Sequence, residues 1–199
     1  MEIPGFKDEI VALKEQLKSH SMEKSFAFYG SSSIRLWETL KEDMAPRNVI
    51  NLGFGGSSYG WMAHYYQTLF ANYQHDHVIL YAGDNDHTSG HRSTKILENF
   101  RRITHELWSD NPDTHVHVIS IKPSPIREDQ LMKIRETNDI LKHSILYNEN
   151  GHWVNVFDEM LTDGKPRPEL FVEDMLHMNT DGYAIWQRIL VTHFEGMGV

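Results

Sequence analysis

Residues 25–37 read SFAFYGSSSIRLW, a short apolar run that stops at Gly30 and is followed by three serines. The run has the length and the aromatic content of a buried β-strand. Similar apolar runs recur along the chain, and stretches with helical periodicity separate them. Strands that alternate with helices of this length favour βαβ units and a parallel sheet. We therefore predict an α/β fold, a three-layer α/β/α sandwich around a central parallel sheet of about five strands.

The spacing of apolar residues places the individual elements. An amphipathic helix is expected at the start of the chain, with Phe6, Ile10, Leu13 and Leu17 on its apolar side. Strands are predicted at residues 25–29, 48–52, 77–81, 116–121 and 153–157. Helices are predicted at residues 61–73, 93–108, 130–147 and 180–193. Because no internal repeat or linker interrupts this order, we expect a single domain over residues 1–199.

Composition narrows the possible partners and the possible chemistry. The 199 residues include 19 basic and 28 acidic side chains, a formal charge of −9, which argues against nucleic acid or an anionic membrane surface as partner. The chain has no cysteine, so disulfides, thiolate chemistry and cysteine zinc sites are excluded. No apolar stretch is long enough to insert into a membrane, and the first residues, MEIPGFKDEI, lack the features of a signal peptide. We therefore expect a cytoplasmic protein.

Polar and glycine-rich loops follow the predicted strands, and the carboxyl ends of parallel strands meet at one edge of a sheet. Serine needs an adjacent base to act as a nucleophile. Such a base is available near the other end of the chain, where Asp174 precedes His177 by three residues. The loops therefore predict a Ser-His-Asp relay at this edge. They are residues 30–33 (GSSS), 53–58 (GFGGSS), 82–86 (AGDND) and the stretch 158–173 that leads into DMLH.

These four loops resemble the conserved blocks of the SGNH (GDSL-type) hydrolase superfamily, in the same order, from about Ser25 to His193. The pieces GSSSIRLW, GFGGS, YAGDND and IKPSP are most similar to a bacterial subgroup of GDSL-type esterases. The resemblance implies a flavodoxin-like fold and a serine esterase that needs no cofactor and no metal ion.

The resemblance also assigns roles to single residues. It implies a catalytic triad of Ser32, His177 and Asp174, and an oxyanion hole formed by the N–H groups of Ser32 and Gly56 and the side-chain amide of Asn85. One position departs from the family pattern, because Ser31 stands where an aspartate usually precedes the nucleophile. The resemblance therefore does not define the hydrogen bonding around Ser32. If the match to the family pattern shifts by one residue, Ser31 or Ser33 is the nucleophile instead.

A competing nucleophile is Ser58, since residues 56–60 (GSSYG) match the G-x-S-x-G elbow of α/β-hydrolases. The chain is short for that fold, and an acid only three residues before its histidine does not match that family. A metal site is also disfavoured, because His87 and His91 have no third ligand at a suitable spacing. The paired histidines at positions 75 and 77, and at 115 and 117, are expected at the surface.

We predict hydrolysis of a carboxylic ester by acyl transfer, on a small-molecule or carbohydrate substrate. A short acyl group such as acetyl is preferred, because the sequence contains no lid domain or long apolar segment. Tyr59 and Trp61 are predicted to line the substrate groove together with residues 158–173. Two alternatives remain: a thioesterase or lysophospholipase that uses the same triad, and an inactive ligand-binding relative, suggested by Ser31. The sequence does not indicate an oligomeric state.

Overall fold

Five parallel strands form the central sheet: β1 (Ser25–Gly30), β2 (Asn48–Gly53), β3 (His77–Tyr81), β4 (His115–Ile119) and β5 (Gly151–Val154). Their spatial order is β2-β1-β3-β4-β5, with every neighbouring pair parallel. The computed structural model describes residues 5–199. Residues 1–4 lie outside it, and they belong to the segment MEIPGFKDEI, on which the expectation of a cytoplasmic protein was based. The strand order reverses between β1 and β3, because β2 lies on one side of β1 and β3, β4 and β5 lie on the other. Ligands bind at such a switch point in doubly wound sheets.

Helices cover both faces of the sheet, so the predicted three-layer α/β/α sandwich is confirmed. One face carries α1 (Lys7–Ser19), α4 (Tyr59–Phe70), α6 (Ser93–Asp110) and α7 (Leu131–Ile145), and the other carries α3 (Leu40–Asp43) and α8 (Thr180–Gly196). The shorter elements are α2 (Ser32–Arg35), α5 (Asp84–Thr88), the 3₁₀ helices Pro125–Gln130, Asp158–Met160 and Pro168–Leu170, and a small antiparallel hairpin of β6 (Leu161–Thr162) and β7 (Lys165–Pro166). Among residues 5–199, no helix combines the length and the apolar character needed to cross a membrane.

Strand β1 shows why the strands read as continuous apolar runs. Ala27 and Tyr29 pack into the layer of α1, α4, α6 and α7, whereas Phe26 and Phe28 pack into the layer of α8. Successive side chains of a strand point to opposite faces, and here both faces are covered. Each position of the strand is therefore buried, and periodicity of two disappears from the sequence.

The prediction for the fifth strand was wrong in its bounds, since β5 covers Gly151–Val154 rather than residues 153–157. The Oγ atom of Ser120 accepts hydrogen bonds from the N–H groups of Val156 (2.9 Å) and Phe157 (3.0 Å). A side chain thus replaces the neighbouring strand as acceptor, and the chain leaves the ladder after Val154. The other four strands agree with their predicted bounds to within two residues.

Candidate active site

Ser32 lies at the switch point of the sheet, as the first residue of α2 directly after β1. A Cβ atom at Gly30 would collide with the carbonyl oxygen of Tyr81, so only glycine allows β1 to end this close to β3. The Ser31 N–H then donates to the Tyr81 carbonyl (3.0 Å) and fixes the turn. Ser31 and Ser33 are each only 2% exposed, whereas Ser32 is partly exposed at the sheet edge.

Two distant segments of the chain meet at Ser32. Its Oγ atom lies 3.0 Å from Nε2 of His177, and Nδ1 of His177 lies 2.5 Å from Oδ2 of Asp174. Both residues belong to the segment that precedes α8. Asn179 caps that helix by accepting hydrogen bonds from the N–H groups at positions 181 (3.0 Å) and 182 (3.1 Å). The cap defines where the segment ends and the helix begins.

Hydrogen bonds keep Asp174 ionised. Burial opposes its charged form, but the backbone and side chain of His177 and the N–H of Leu176 outweigh burial and lower the pKa of Asp174 to about 2. An ionised carboxylate only accepts hydrogen bonds, so Nδ1 of His177 carries the proton. The lone pair of Nε2 then faces the Ser32 hydroxyl, which donates to it.

The loops after β2 and β3 are bound to each other and to the loop of Ser32. Nδ2 of Asn85 donates to the carbonyl of Ser57 (3.0 Å), next to Gly56, and the Ser57 hydroxyl donates to the carbonyl of Gly30 (3.1 Å). Gly56 is exposed, has a φ of +66°, and has open space where a Cβ would lie. The geometry therefore brings Ser32, Gly56 and Asn85 to the same edge of the sheet.

Comparison with known families agrees with this arrangement. The model of the GDSL-like Lipase/Acylhydrolase family matches residues 25–185. The chain belongs to this family. It is therefore an ester-hydrolysing enzyme, and the resemblance noted in the sequence is confirmed at the level of the family. No curated protein matches the chain.

Solved structures of GDSL-like and related hydrolases share the fold. An acylhydrolase candidate of Bacteroides fragilis is 17% identical over 99% of both chains, with a TM-score of 0.84. A GDSL-like lipase of Bacteroides thetaiotaomicron is 20% identical over 96% of both chains, with a TM-score of 0.78. A lipase/acylhydrolase of Enterococcus faecalis is 18% identical over 87% of this chain and 96% of its own, with a TM-score of 0.73. At these identities the likeness concerns the fold alone.

In this GDSL-like hydrolase a buried ion pair supports the loop that carries Asn85. Nζ of Lys122 donates to Oδ2 of Asp84 (2.8 Å), and the Tyr81 hydroxyl donates to the same oxygen (2.6 Å). Lys122 is 1% exposed and Asp84 is 5% exposed. This pair was not predicted from the sequence. A lysine that directly follows an apolar strand and precedes a proline, as Lys122 does, could have indicated a buried, paired charge.

The first helix also contacts the site, through a residue that the sequence analysis did not consider. Oε2 of Glu9 accepts a hydrogen bond from the N–H of Gly55 (2.8 Å), the residue before Gly56. Nε of Arg35, three residues after Ser32, lies 3.6 Å from the same oxygen. Glu9 thus connects the loop after β2 with α2. Both charged side chains are partly solvated, so the contact contributes little to stability and acts mainly on position.

Three further residues named from the sequence are Tyr59, Trp61 and Ser58. Tyr59 was predicted to line the groove, but its side chain is fully buried and packs edge-on against Phe100 at 5.5 Å, so that prediction is wrong. Trp61 is partly exposed and packs against Phe6 at 5.7 Å, where α4 meets the first helix. The competing nucleophile Ser58 is buried, and its hydroxyl accepts the N–H of Trp61 (3.3 Å) as the N-cap of α4.

Proposed function

We propose that this GDSL-like hydrolase is a serine esterase that cleaves short-chain carboxylic esters through Ser32, His177 and Asp174. The proposal depends on one observation, the continuous chain of contacts from Ser32 Oγ to His177 Nε2 (3.0 Å) and from His177 Nδ1 to Asp174 Oδ2 (2.5 Å). These are the distances that nucleophile, base and orienting acid need for proton transfer.

In the proposed reaction Ser32 Oγ attacks the ester carbonyl while its proton moves to Nε2 of His177. Asp174 stabilises the imidazolium through the Nδ1–H bond and keeps its negative charge. When the tetrahedral intermediate collapses, the proton on Nε2 passes to the leaving alkoxide and an acyl-enzyme remains. Water, deprotonated by the same nitrogen, then releases the acid and restores the Ser32 hydroxyl.

The oxyanion of the intermediate is proposed to be bound by the N–H groups of Ser32 and Gly56 and by the amide of Asn85. Ser32 occupies the first turn of a helix, where backbone N–H groups have no acceptor within the helix. One N–H of the Asn85 amide is used by Ser57, which fixes the plane of the amide and leaves the second N–H for a ligand. Removing one such donor typically costs about 3–4 kcal/mol of transition-state stabilisation.

A short acyl group is proposed because the apolar surface beside His177 is small. Val172 and Met175 are exposed on the segment that carries the base, and exposed Ile126 adjoins them through a hydrogen bond from its N–H to the Met175 carbonyl (3.2 Å). Three side chains can cover an acyl group of a few carbons. A fatty acyl chain would leave most of its methylenes in water, each forgoing about 0.8 kcal/mol. The alcohol part is proposed to be a small molecule or a carbohydrate.

A fluorophosphonate probe tests the nucleophile directly. Wild-type protein should be labelled stoichiometrically, and Ser32→Ala should lose the label. Ser58→Ala is the matched control, because it removes a neighbouring serine hydroxyl and should keep the label. A wild-type protein that folds but does not react would contradict catalysis and favour the ligand-binding alternative. Labelling that persists in Ser32→Ala would contradict the assigned nucleophile.

The acyl preference is tested separately with p-nitrophenyl esters from acetate to decanoate and with an acyl-CoA of matched length. We expect kcat/KM to be highest for acetyl or butyryl and to fall as the chain lengthens. A maximum at long chains, or faster hydrolysis of the thioester, would favour the lysophospholipase or thioesterase alternative.

A further inference from the structure

Five histidines gather at the amino-terminal edge of the sheet, opposite the edge that carries Ser32. They are His77 on β3, His115 and His117 on β4, His152 on β5 and His193 on α8. His77 pairs with His115, and His117 pairs with His152, in the parallel register. The four strand histidines therefore project from one face of the sheet, the face covered by α8. A five-residue strand at about 3.3 Å per residue separates the two edges by roughly 15 Å.

The imidazoles contact one another through their nitrogen atoms. Nδ1 of His117 lies 2.9 Å from Nε2 of His193, and Nε2 of His117 lies 3.0 Å from Nδ1 of His77. Nδ1 of His115 lies 3.0 Å from Nε2 of His152, whose ring stacks on that of His117 with centroids 4.7 Å apart. One ring nitrogen from each of His117, His152 and His193 lies within 4.8 Å of the other two.

We propose that His117, His152 and His193 bind a divalent transition-metal ion of the zinc type, with the fourth coordination position open to solvent. Imidazole nitrogens are ligands that Zn²⁺ prefers, and three histidines complete a tetrahedral site when a water molecule is the fourth ligand. Zn–N bonds of about 2.0–2.1 Å at tetrahedral angles require ligand atoms about 3.3 Å apart. The spacings of 2.9 Å to 4.8 Å bracket that value, so modest rotations of the rings suffice.

Burial favours the uncharged form of His117 and His152, which is the form that binds metal. Burial, helped by the neighbouring histidines, lowers the pKa of His117 well below its usual value and that of His152 to about 4. At neutral pH these rings are uncharged, and only uncharged imidazole offers a lone pair to a cation. His117 is fully buried, whereas His152 and His193 are partly exposed, so an ion can enter from the surface beside α8.

The remaining two histidines hold the ligands in orientation. When Nδ1 of His117 binds the ion, its proton resides on Nε2 and is donated to Nδ1 of His77. His115 holds Nε2 of His152 in the same way. When Nδ1 of His117 and Nε2 of His193 both bind the ion, the proton between these two atoms moves to the other nitrogen of the ring that carries it. Each ring keeps one proton, so no net proton release is needed. Outer partners of this kind fix the tautomer of metal-binding histidines. A site built in this way would connect β4 and β5 to α8.

Zinc titration of untagged, chelator-treated protein tests the proposal, because a histidine tag would bind the ion itself. Isothermal titration calorimetry should show one equivalent of Zn²⁺, and Co²⁺ should give the visible absorption of a tetrahedral site. Zn²⁺ should also raise the thermal unfolding midpoint, since it binds the folded chain. This readout does not involve esterase activity, and Ser32→Ala should bind Zn²⁺ like the wild type.

Variants distinguish this site from adventitious binding. His193→Gln and His152→Gln should each weaken Zn²⁺ binding by more than roughly 100-fold, and His115→Gln by about 10–100-fold, as is typical for an outer partner. His105→Gln is the matched control, because His105 is exposed on α6 outside the cluster and its loss should change nothing. A wild-type protein that binds less than one equivalent would overturn the proposal. Folded His193→Gln and His152→Gln variants that bind and are stabilised like the wild type would overturn it too.

Discussion

The methionine substitution of Lys122 perturbs the buried ion pair under the loop of Asn85. Nζ of Lys122 and the Tyr81 hydroxyl both donate to Oδ2 of Asp84, while Oδ1 has no hydrogen-bond partner among residues 5–199. Lys122→Met retains most of the length and apolar volume of the side chain. It leaves a buried carboxylate with a single hydrogen bond from a neutral group.

The expected loss of stability follows from the burial of both partners. Removing one member of a buried ion pair costs about 3–5 kcal/mol, because the remaining charge is buried without compensation. For a protein of this size each kcal/mol lowers the unfolding midpoint by about 2–4 °C, so a decrease of roughly 6–20 °C is expected. Asp84→Asn should cost a similar amount. The double variant should regain most of the loss, because replacing both charges is often close to neutral.

Urea unfolding, followed by the fluorescence of the buried Trp37 and Trp186, measures this cycle. The coupling energy between Lys122 and Asp84 should exceed about 1 kcal/mol, as expected for residues in direct contact. Because Asp84 precedes Asn85, each single variant should also lower kcat for a short ester more than it changes KM. A single variant within 1 kcal/mol of wild type, or a double variant that loses the sum of the two, would refute the reasoning.

Two further predictions concern the site and the acid stability of the fold. Asn85→Ala should lower kcat for p-nitrophenyl acetate by about 100- to 1,000-fold with little change in the unfolding midpoint, and retention of full activity would remove Asn85 from the oxyanion hole. Burial lowers the pKa of His75 to about 4 from 6.5, so between these values the folded chain binds fewer protons than the unfolded chain. Stability should therefore fall as the pH decreases from 6.5 to 4, by about 3 kcal/mol from this group. Urea unfolding across that range should show that the stability of His75→Asn falls less steeply with decreasing pH than that of the wild type. An unchanged dependence on pH would contradict a contribution of His75 to the loss of stability in acid.

The fold could be predicted because it follows from local patterns, and the candidate triad because those patterns combine with the family resemblance. Buried parallel strands leave continuous apolar runs, and the loops after them reach the same edge whatever the order of the strands. The contact between Ser32 and His177 therefore needed only the sequence blocks and the topology. The choice among the three serines needed the structure, since burial of Ser31 and Ser33 depends on how closely β1 approaches β3.

Two of the predictions that failed concern coverage by other parts of the chain. Alternating histidines such as His115 and His117 do share a face, but His117 is fully buried, because α8 covers that face from some 70 residues further along. Tyr59 opens a helix beside the site, and its side chain nevertheless turns into the core. Periodicity reports which residues share a face, whereas burial depends on tertiary partners that a single sequence does not reveal.

The position of His177, the proposed base, depends on α8 more than on the hydrogen bonds of the candidate triad. Asp174 and His177 belong to one segment, so the contact between them does not hold that segment against Ser32. The bond that joins the two segments is the one between His177 Nε2 and Ser32 Oγ (3.0 Å), and a single hydrogen bond contributes only about 0.5–1.5 kcal/mol. The hydroxyl of Tyr183 donates to the carbonyl of Ser33 (3.0 Å), which joins α8 to the helix that begins with Ser32. Trp186 is buried one turn further along and anchors α8 on the sheet. Packing of this helix therefore sets the distance between His177 and Ser32, and the hydrogen bonds of the candidate triad only refine it.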